Sequence, residues 1–161
     1  MGTPARQRFF WLTHARSWRP AILAGVGGFI AIGLLALVRD ISQLNLLVPP
    51  FGATCVLAFG FPASPFAQPK NIIGGHVISA VMGLSACALL GYSAFGLASG
   101  VGLAITAMML TDTVHPPAGA NPIVVAMARP GLEFLVLPIL VGATAIVILA
   151  RIFRRVTQHG P

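Results

Sequence analysis

The chain has 161 residues, of which 57% are hydrophobic and only 8% charged, with ten Lys and Arg against three acidic residues and a formal net charge of +7. A mean hydropathy of +0.90 excludes a water-soluble globule, which needs polar side chains to cover its surface. The positive charge stands at the ends of apolar runs, where it sets membrane topology rather than a nucleic-acid footprint, so a lipid bilayer and no nucleic acid is the expected partner.

Residues 1–19 carry Arg6, Arg8, Arg16 and Arg19 and read as a basic cytoplasmic segment. The apolar run that follows, Ala21 to Val38, is about 18 residues long, against roughly 7–15 for the apolar region of an export signal. It ends in Val38-Arg39-Asp40 with no small-x-small cleavage site, and so predicts a retained first span. Four segments approach the roughly 20 residues that a helix needs to cross: Pro20 to Val38, Ile72 to Leu90, Ala94 to Leu110 and Phe134 to Ala150. Small residues such as Gly25, Gly28, Gly33, Gly83, Cys87, Gly100 and Ala104 recur within them and favour close helix packing in lipid. Cys55 and Cys87 lie in apolar context and read as reduced small hydrophobes.

Between these spans a motif occurs twice. Pro49-Pro50-Phe51-Gly52-Ala53-Thr54 returns 67 residues later as Pro116-Pro117-Ala118-Gly119-Ala120-Asn121. Each copy opens an apolar stretch of about 7–10 residues, too short to cross alone and tolerable at membrane depth only against protein or a wet cavity. The predicted fold is therefore an all-α membrane protein with four transmembrane helices and two re-entrant half-helices, built as an internal repeat. Residues 20–90 form the first span, half-helix, span unit and 94–150 the second, with 151–161 as a basic tail. Arginines at both ends, including Arg151, Arg154 and Arg155, put both termini in the cytoplasm. If the short segments do not cross, the repeats are parallel and both half-helices enter from the outer side; if they cross, the repeat is inverted.

The second copy is led by Thr111-Asp112-Thr113-Val114-His115, where the first has Leu44-Asn45-Leu46-Leu47-Val48. Function is therefore expected to concentrate in the second copy. Pro116 and Pro117 bias His115 toward an extended backbone, holding its imidazole on a stiff stem. Asn121, followed by Pro122, and Thr54 in the first copy read as helix caps. The half-helix amides beside Gly52 and Gly119 would face a common cavity that favours an anion. A further cluster, Gln68-Pro69-Lys70-Asn71 then Gly74-Gly75-His76 and Ser79, places His76 and Ser79 on one helix face with Gly75 beside the ring; an ionisable residue inside a span is a functional candidate. Asp112 is expected to pair with His115 or Arg129, and Lys70 to lie at the mouth.

The strings Thr-Asp-Thr-Val-His-Pro-Pro-Ala-Gly-Ala-Asn-Pro, Pro-Phe-Gly-Ala-Thr and Gln-Pro-Lys-Asn-Ile-Ile-Gly-Gly-His-Val-Ile-Ser together resemble the HPP family of integral membrane proteins, named for its His-Pro-Pro motif. The resemblance covers roughly residues 15–155. It implies a four-span domain, with nitrite transport in some relatives, and marks His115, Pro116 and Pro117 as the signature.

The expected function is a small-anion transporter or channel of the cell inner membrane, nitrite by resemblance. His115, Asn121, Thr54, His76, Gly119 and Gly52 are the expected substrate contacts, supported by Asp112, Pro116, Pro117, Lys70, Asn71 and Ser79. Flux is expected to rise as pH falls through the ~6.5 region of an ordinary histidine. No cofactor or metal is expected, since Cys and His lack zinc-site spacing. An enzyme is not expected either, because no nucleophile accompanies Asp112 and His115. A structural or sensory subunit and a cation or metal-ion carrier are the alternatives. Four spans enclose little interior, so a homo-oligomer is expected.

Overall fold

The computed structural model describes residues 18–158; Arg6, Arg8 and Arg16 of the expected cytoplasmic segment lie outside them. The described residues are all-helical, as expected. The α-helices are α1 (Trp18–Ser42), α2 (Pro50–Cys55), α3 (Pro69–Leu90), α4 (Ala94–Leu110), α5 (Asn121–Ala128) and α6 (Val141–Gln158).

Three helices are long and apolar enough to cross a membrane: α1, α3 and the run Leu132–Thr157, which takes in α6 as far as Thr157. The expected third span, α4, has 17 residues, or about 25 Å at 1.5 Å per residue, short of the ~30 Å hydrocarbon core. Its two ends have local causes. Ser93 accepts the Gly96 amide at 3.2 Å as an N-cap, and Asp112, with φ 53, turns the chain out of the helix just after Thr111.

α2 begins on Pro49-Pro50, where the fixed proline φ suits a first turn, and continues through a wider turn over Val56–Gly60. Residues 50–60 lie along α1 in reverse: Gly28 faces Cys55, and Gly60 faces Ala24 near the start of α1. Phe59 meets Phe153 of α6 edge-on at 5.5 Å. The start of α1, the end of the 50–60 helix and the end of α6 thus share one end of the bundle. α3 starts there too, its Lys70 paired with Asp112 beyond the end of α4. At the opposite end the Arg129 guanidinium, just past α5, lies 4.9 Å over the Tyr92 ring in the α3–α4 link. The two half-length helices therefore run in opposite directions from adjacent starts.

α3 is the central element. Its buried residues Ile72, Gly75, His76, Ser79, Ala80, Gly83, Ala86 and Cys87 follow the 3.6-residue helical period. Gly83 and Gly100 clasp Pro122: a Cβ on Gly83 would stand 2.7 Å from Pro122 Cα. Close packing of this kind drives helix association in lipid. Cys55 and Cys87 are buried and unpaired.

Candidate functional site

The two motif copies meet in the middle of the bundle. Thr54, His76, His115 and Asn121 are each 0% exposed, and they come from four stretches: α2, α3, the extended link before Pro116, and the first residue of α5. Thr54 Oγ1 lies 2.8 Å from His76 Nε2 and 3.0 Å from His115 Nε2, so one hydroxyl joins the two imidazoles. The ring centroids are 5.1 Å apart. His115 Nδ1 donates to the Phe66 carbonyl at 2.7 Å. Asn121 Nδ2 reaches both His76 Nδ1 at 3.1 Å and the His76 carbonyl at 3.0 Å. Phe51 closes one side, edge-on to His76 at 5.1 Å.

Local sequence explains the placement. His115 has φ −136 and ψ 99, the extended form that a following proline imposes. Gly75 leaves room for His115 rather than for its neighbour His76: a Cβ there would stand 2.7 Å from His115 Cβ and 2.8 Å from the Thr113 carbonyl oxygen. Asn71 Nδ2 donates to the Val114 carbonyl at 2.8 Å and the Ser79 hydroxyl donates to the Ala118 carbonyl. Both bonds tie the second broken segment to α3 on either side of His115. Pro117 is buried beside them while Pro116 is exposed. Two side-chain oxygens, Asn71 Oδ1 and Asn121 Oδ1, are buried without a hydrogen-bond partner.

Several expectations change. Asn121 and Thr54 are not caps. Ala120 precedes α5 with no side-chain cap, and Thr54 lies inside α2, its hydroxyl also 3.2 Å from the Pro50 carbonyl. Their side chains are used across the bundle, where a buried polar group finds its partner. Nor are the half-helix amides left open for an anion. Pro50, Pro116 and Pro117 have no N–H, while the Phe51, Gly52 and Ala118 amides are taken up by the Val48, Pro49 and His115 carbonyls at 3.0, 3.2 and 2.9 Å. Gly52 is exposed, and both it and Gly119 have open space where a Cβ would stand. Asp112 pairs with Lys70, not with His115 or Arg129. That ion pair is 61% and 87% exposed, and exposed pairs contribute about 0–1 kcal/mol. Asp112→Asn is expected to change thermal unfolding by less than that, measured on the purified protein in detergent.

Sequence reasoning missed three participants: the Phe66 carbonyl, the Pro50 carbonyl and the ring of Phe51. The two carbonyls carry no side-chain signal. Phe51 stands within the first motif and was readable as a ring beside the break. Among the described residues no group of three His, Cys, Asp or Glu side chains is placed to hold a metal ion. The cluster can donate and accept hydrogen bonds and can take a proton, and all of it is sealed from solvent.

One family model matches the chain. The model of the HPP transmembrane region matches residues 13–161. Two transmembrane proteins of Dictyostelium discoideum are each 33% identical to the chain. One alignment spans 159 residues, 87% of this chain and 56% of the relative; the other spans 139 residues, 79% of this chain and 45% of the relative. The chain thus spans about half the length of the curated relatives it matches. No solved structure matches it significantly. By its motifs, its apolar helices and the family match over nearly all of its length, the chain is a membrane protein and belongs to the HPP family.

Proposed function

We propose that the chain carries a small monovalent anion across the cell inner membrane, nitrite being the anion that the family resemblance suggests. The observation that carries this reading is the convergence of Thr54, His76, His115 and Asn121, from both broken segments and the central helix, on one buried point. The anion would be held by side chains, recruiting imidazole N–H, threonine O–H and asparagine N–H donors from the bonds they make to one another, and none of the chain's three carboxylates is hydrogen-bonded to the cluster. Burying an anion is costly unless donors replace its water.

In this reading each broken segment crosses as an extended half followed by a helical half, so that α1 and α3 with the first segment form an inverted repeat of α4 and α6 with the second. Such repeats commonly place a substrate site at the midplane, with access alternating between the two sides. Both chain ends would then be cytoplasmic. We extend the reading to a homo-oligomer, for which the outward-facing Gly25 and Gly33 of α1 offer a close-packing seam.

A second reading rests on the unpartnered oxygens Asn71 Oδ1 and Asn121 Oδ1, which would suit a cation able to donate hydrogen bonds. The deciding experiment is uptake of nitrite, nitrate, formate, chloride and ammonium into liposomes holding the purified protein. Selective nitrite uptake is expected. Uptake of ammonium alone would move the assignment to the cation, and uptake of none would leave a structural or sensory subunit.

A further inference from the structure

The hydrogen bonds of the central cluster can be followed hydrogen by hydrogen. A backbone carbonyl only accepts, so the His115 nitrogen facing Phe66, Nδ1, carries a hydrogen. In the neutral ring Nε2 is then bare and must accept, and the Thr54 hydroxyl is the donor within reach at 3.0 Å. That hydroxyl has one hydrogen, so toward His76 it must accept, which places a hydrogen on His76 Nε2. His76 Nδ1 is then bare and accepts from Asn121 Nδ2, whose second hydrogen goes to the His76 carbonyl. All bonds run one way, from Asn121 through His76 and Thr54 to His115 and Phe66, and the two histidines hold opposite tautomers.

A proton added to this chain has two bare nitrogens to choose between. On His76 Nδ1 it would point at the hydrogens of the Asn121 amide, whose orientation is fixed by the His76 carbonyl. On His115 Nε2 it points at Thr54 Oγ1, which becomes a double acceptor if its own hydrogen turns away. The Pro50 carbonyl, 3.2 Å from the same oxygen, is there to receive it. We propose that Thr54, His76 and His115 form a single-proton site in which the proton is held on His115 Nε2 and the Thr54 hydroxyl is the switch, swinging between His115 and the Pro50 carbonyl.

No other charge intervenes. On the elements packed around the rings, the titratable groups are Cys55 in α2, Lys70 and Cys87 in α3 and Asp112 after α4. Lys70 and Asp112 hold each other at the surface, and none of the four is hydrogen-bonded to either imidazole. Resting on the anion reading, the site adds a co-substrate: one proton enters with each anion, both leave on the far side, and the transported unit is electrically neutral.

The test has two arms. In the first, 15N NMR of histidine-labelled protein in lipid bilayers reads the tautomers without any substrate. Expected are a hydrogen on Nε2 of His76 and on Nδ1 of His115 near neutral pH, with His115 the first to become doubly protonated on acidification. Thr54→Ser is expected to keep this pattern and Thr54→Val to lose it. The same tautomer on both rings, or His76 protonating first, would overturn the site. In the second arm, nitrite enters liposomes clamped with potassium and valinomycin, protein-free vesicles correcting for nitrous acid that crosses the lipid unaided. An uncoupled monovalent anion would change its equilibrium distribution about 50-fold per 100 mV; neutral co-transport is expected to show less than a twofold change, with one proton taken up per nitrite. Nitrite flux that follows the voltage would overturn the coupling and leave the anion reading standing. Absence of flux would overturn the anion reading, and with it the coupling, while the NMR arm still decides the proton site.

Discussion

Replacing His115 with alanine is expected to lower nitrite uptake into liposomes by about 100-fold or more while leaving the protein folded. The variant loses the proton-accepting nitrogen and, with the proton, the positive charge that would sit beside the anion. A single hydrogen bond to a charged group contributes about 1.5–3 kcal/mol, which is already about 10- to 100-fold. The fold should survive because the Thr54 hydroxyl can turn to the Pro50 carbonyl at 3.2 Å, which leaves the Phe66 carbonyl as the one group that loses its side-chain partner. A stability cost of about 1–3 kcal/mol is expected, read by thermal unfolding in detergent. Asp112→Asn, which touches only the surface pair, is the control and should retain uptake. More than half of the wild-type rate in the alanine variant would remove His115 from the mechanism.

The second large effect is expected where no polar atom is changed. Gly75→Ala places a methyl 2.7 Å from His115 Cβ and 2.8 Å from the Thr113 carbonyl oxygen. Neither neighbour can rotate away, since one is backbone and the other sits on a stem fixed by two prolines. Overpacking of this kind costs about 1–3 kcal/mol. The relief available is a small outward shift of residues 113–115, which would lengthen the 3.0 Å contact between Thr54 and His115. Uptake should fall together with stability, and shortening the Thr113 side chain to serine should recover neither, because that side chain faces Gly74 while Gly75 meets the Thr113 backbone and the His115 Cβ. Unchanged unfolding and uptake in Gly75→Ala would show that the break has slack at this point.

These two substitutions also mark how much of the site was legible in the sequence. The duplicated Pro-Pro motif, the extended backbone at His115 and the inward face of α3 carrying His76 and Ser79 follow from local rules of proline geometry and helical period, and the structure has them. Thr54 and Asn121, 67 apart in the repeat, both reach His76. Partners fixed by the tertiary path were out of reach. Lys70 meets Asp112 only because α3 and α4 fold back as a hairpin that brings the start of one beside the end of the other. Thr54 and Asn121 have the local signature of caps, yet the burial of two imidazoles gave their side chains a stronger demand across the bundle. The amides that made an anion site seem natural at the half-helix starts are the ones that the Pro-Pro turns remove or take up, a competition that composition does not reveal. The opposed directions of the two short helices depend on the direction of each link, and chain-end charge is the same for both arrangements.

Among the described residues the charged side chains keep to the two ends of the bundle: Arg19, Lys70, Asp112, Arg151, Arg154 and Arg155 at one, Arg39, Asp40, Arg129 and Glu133 toward the other. A transmembrane field acts on charge that moves through it, with about 2.3 kcal/mol per elementary charge per 100 mV. With no fixed charge between the ends among the described residues, these residues give voltage no lever on the conformation, so an energised and a de-energised membrane should hold them in the same resting shape. On the anion reading, any electrical sensitivity measured for the protein would belong to the transported ion.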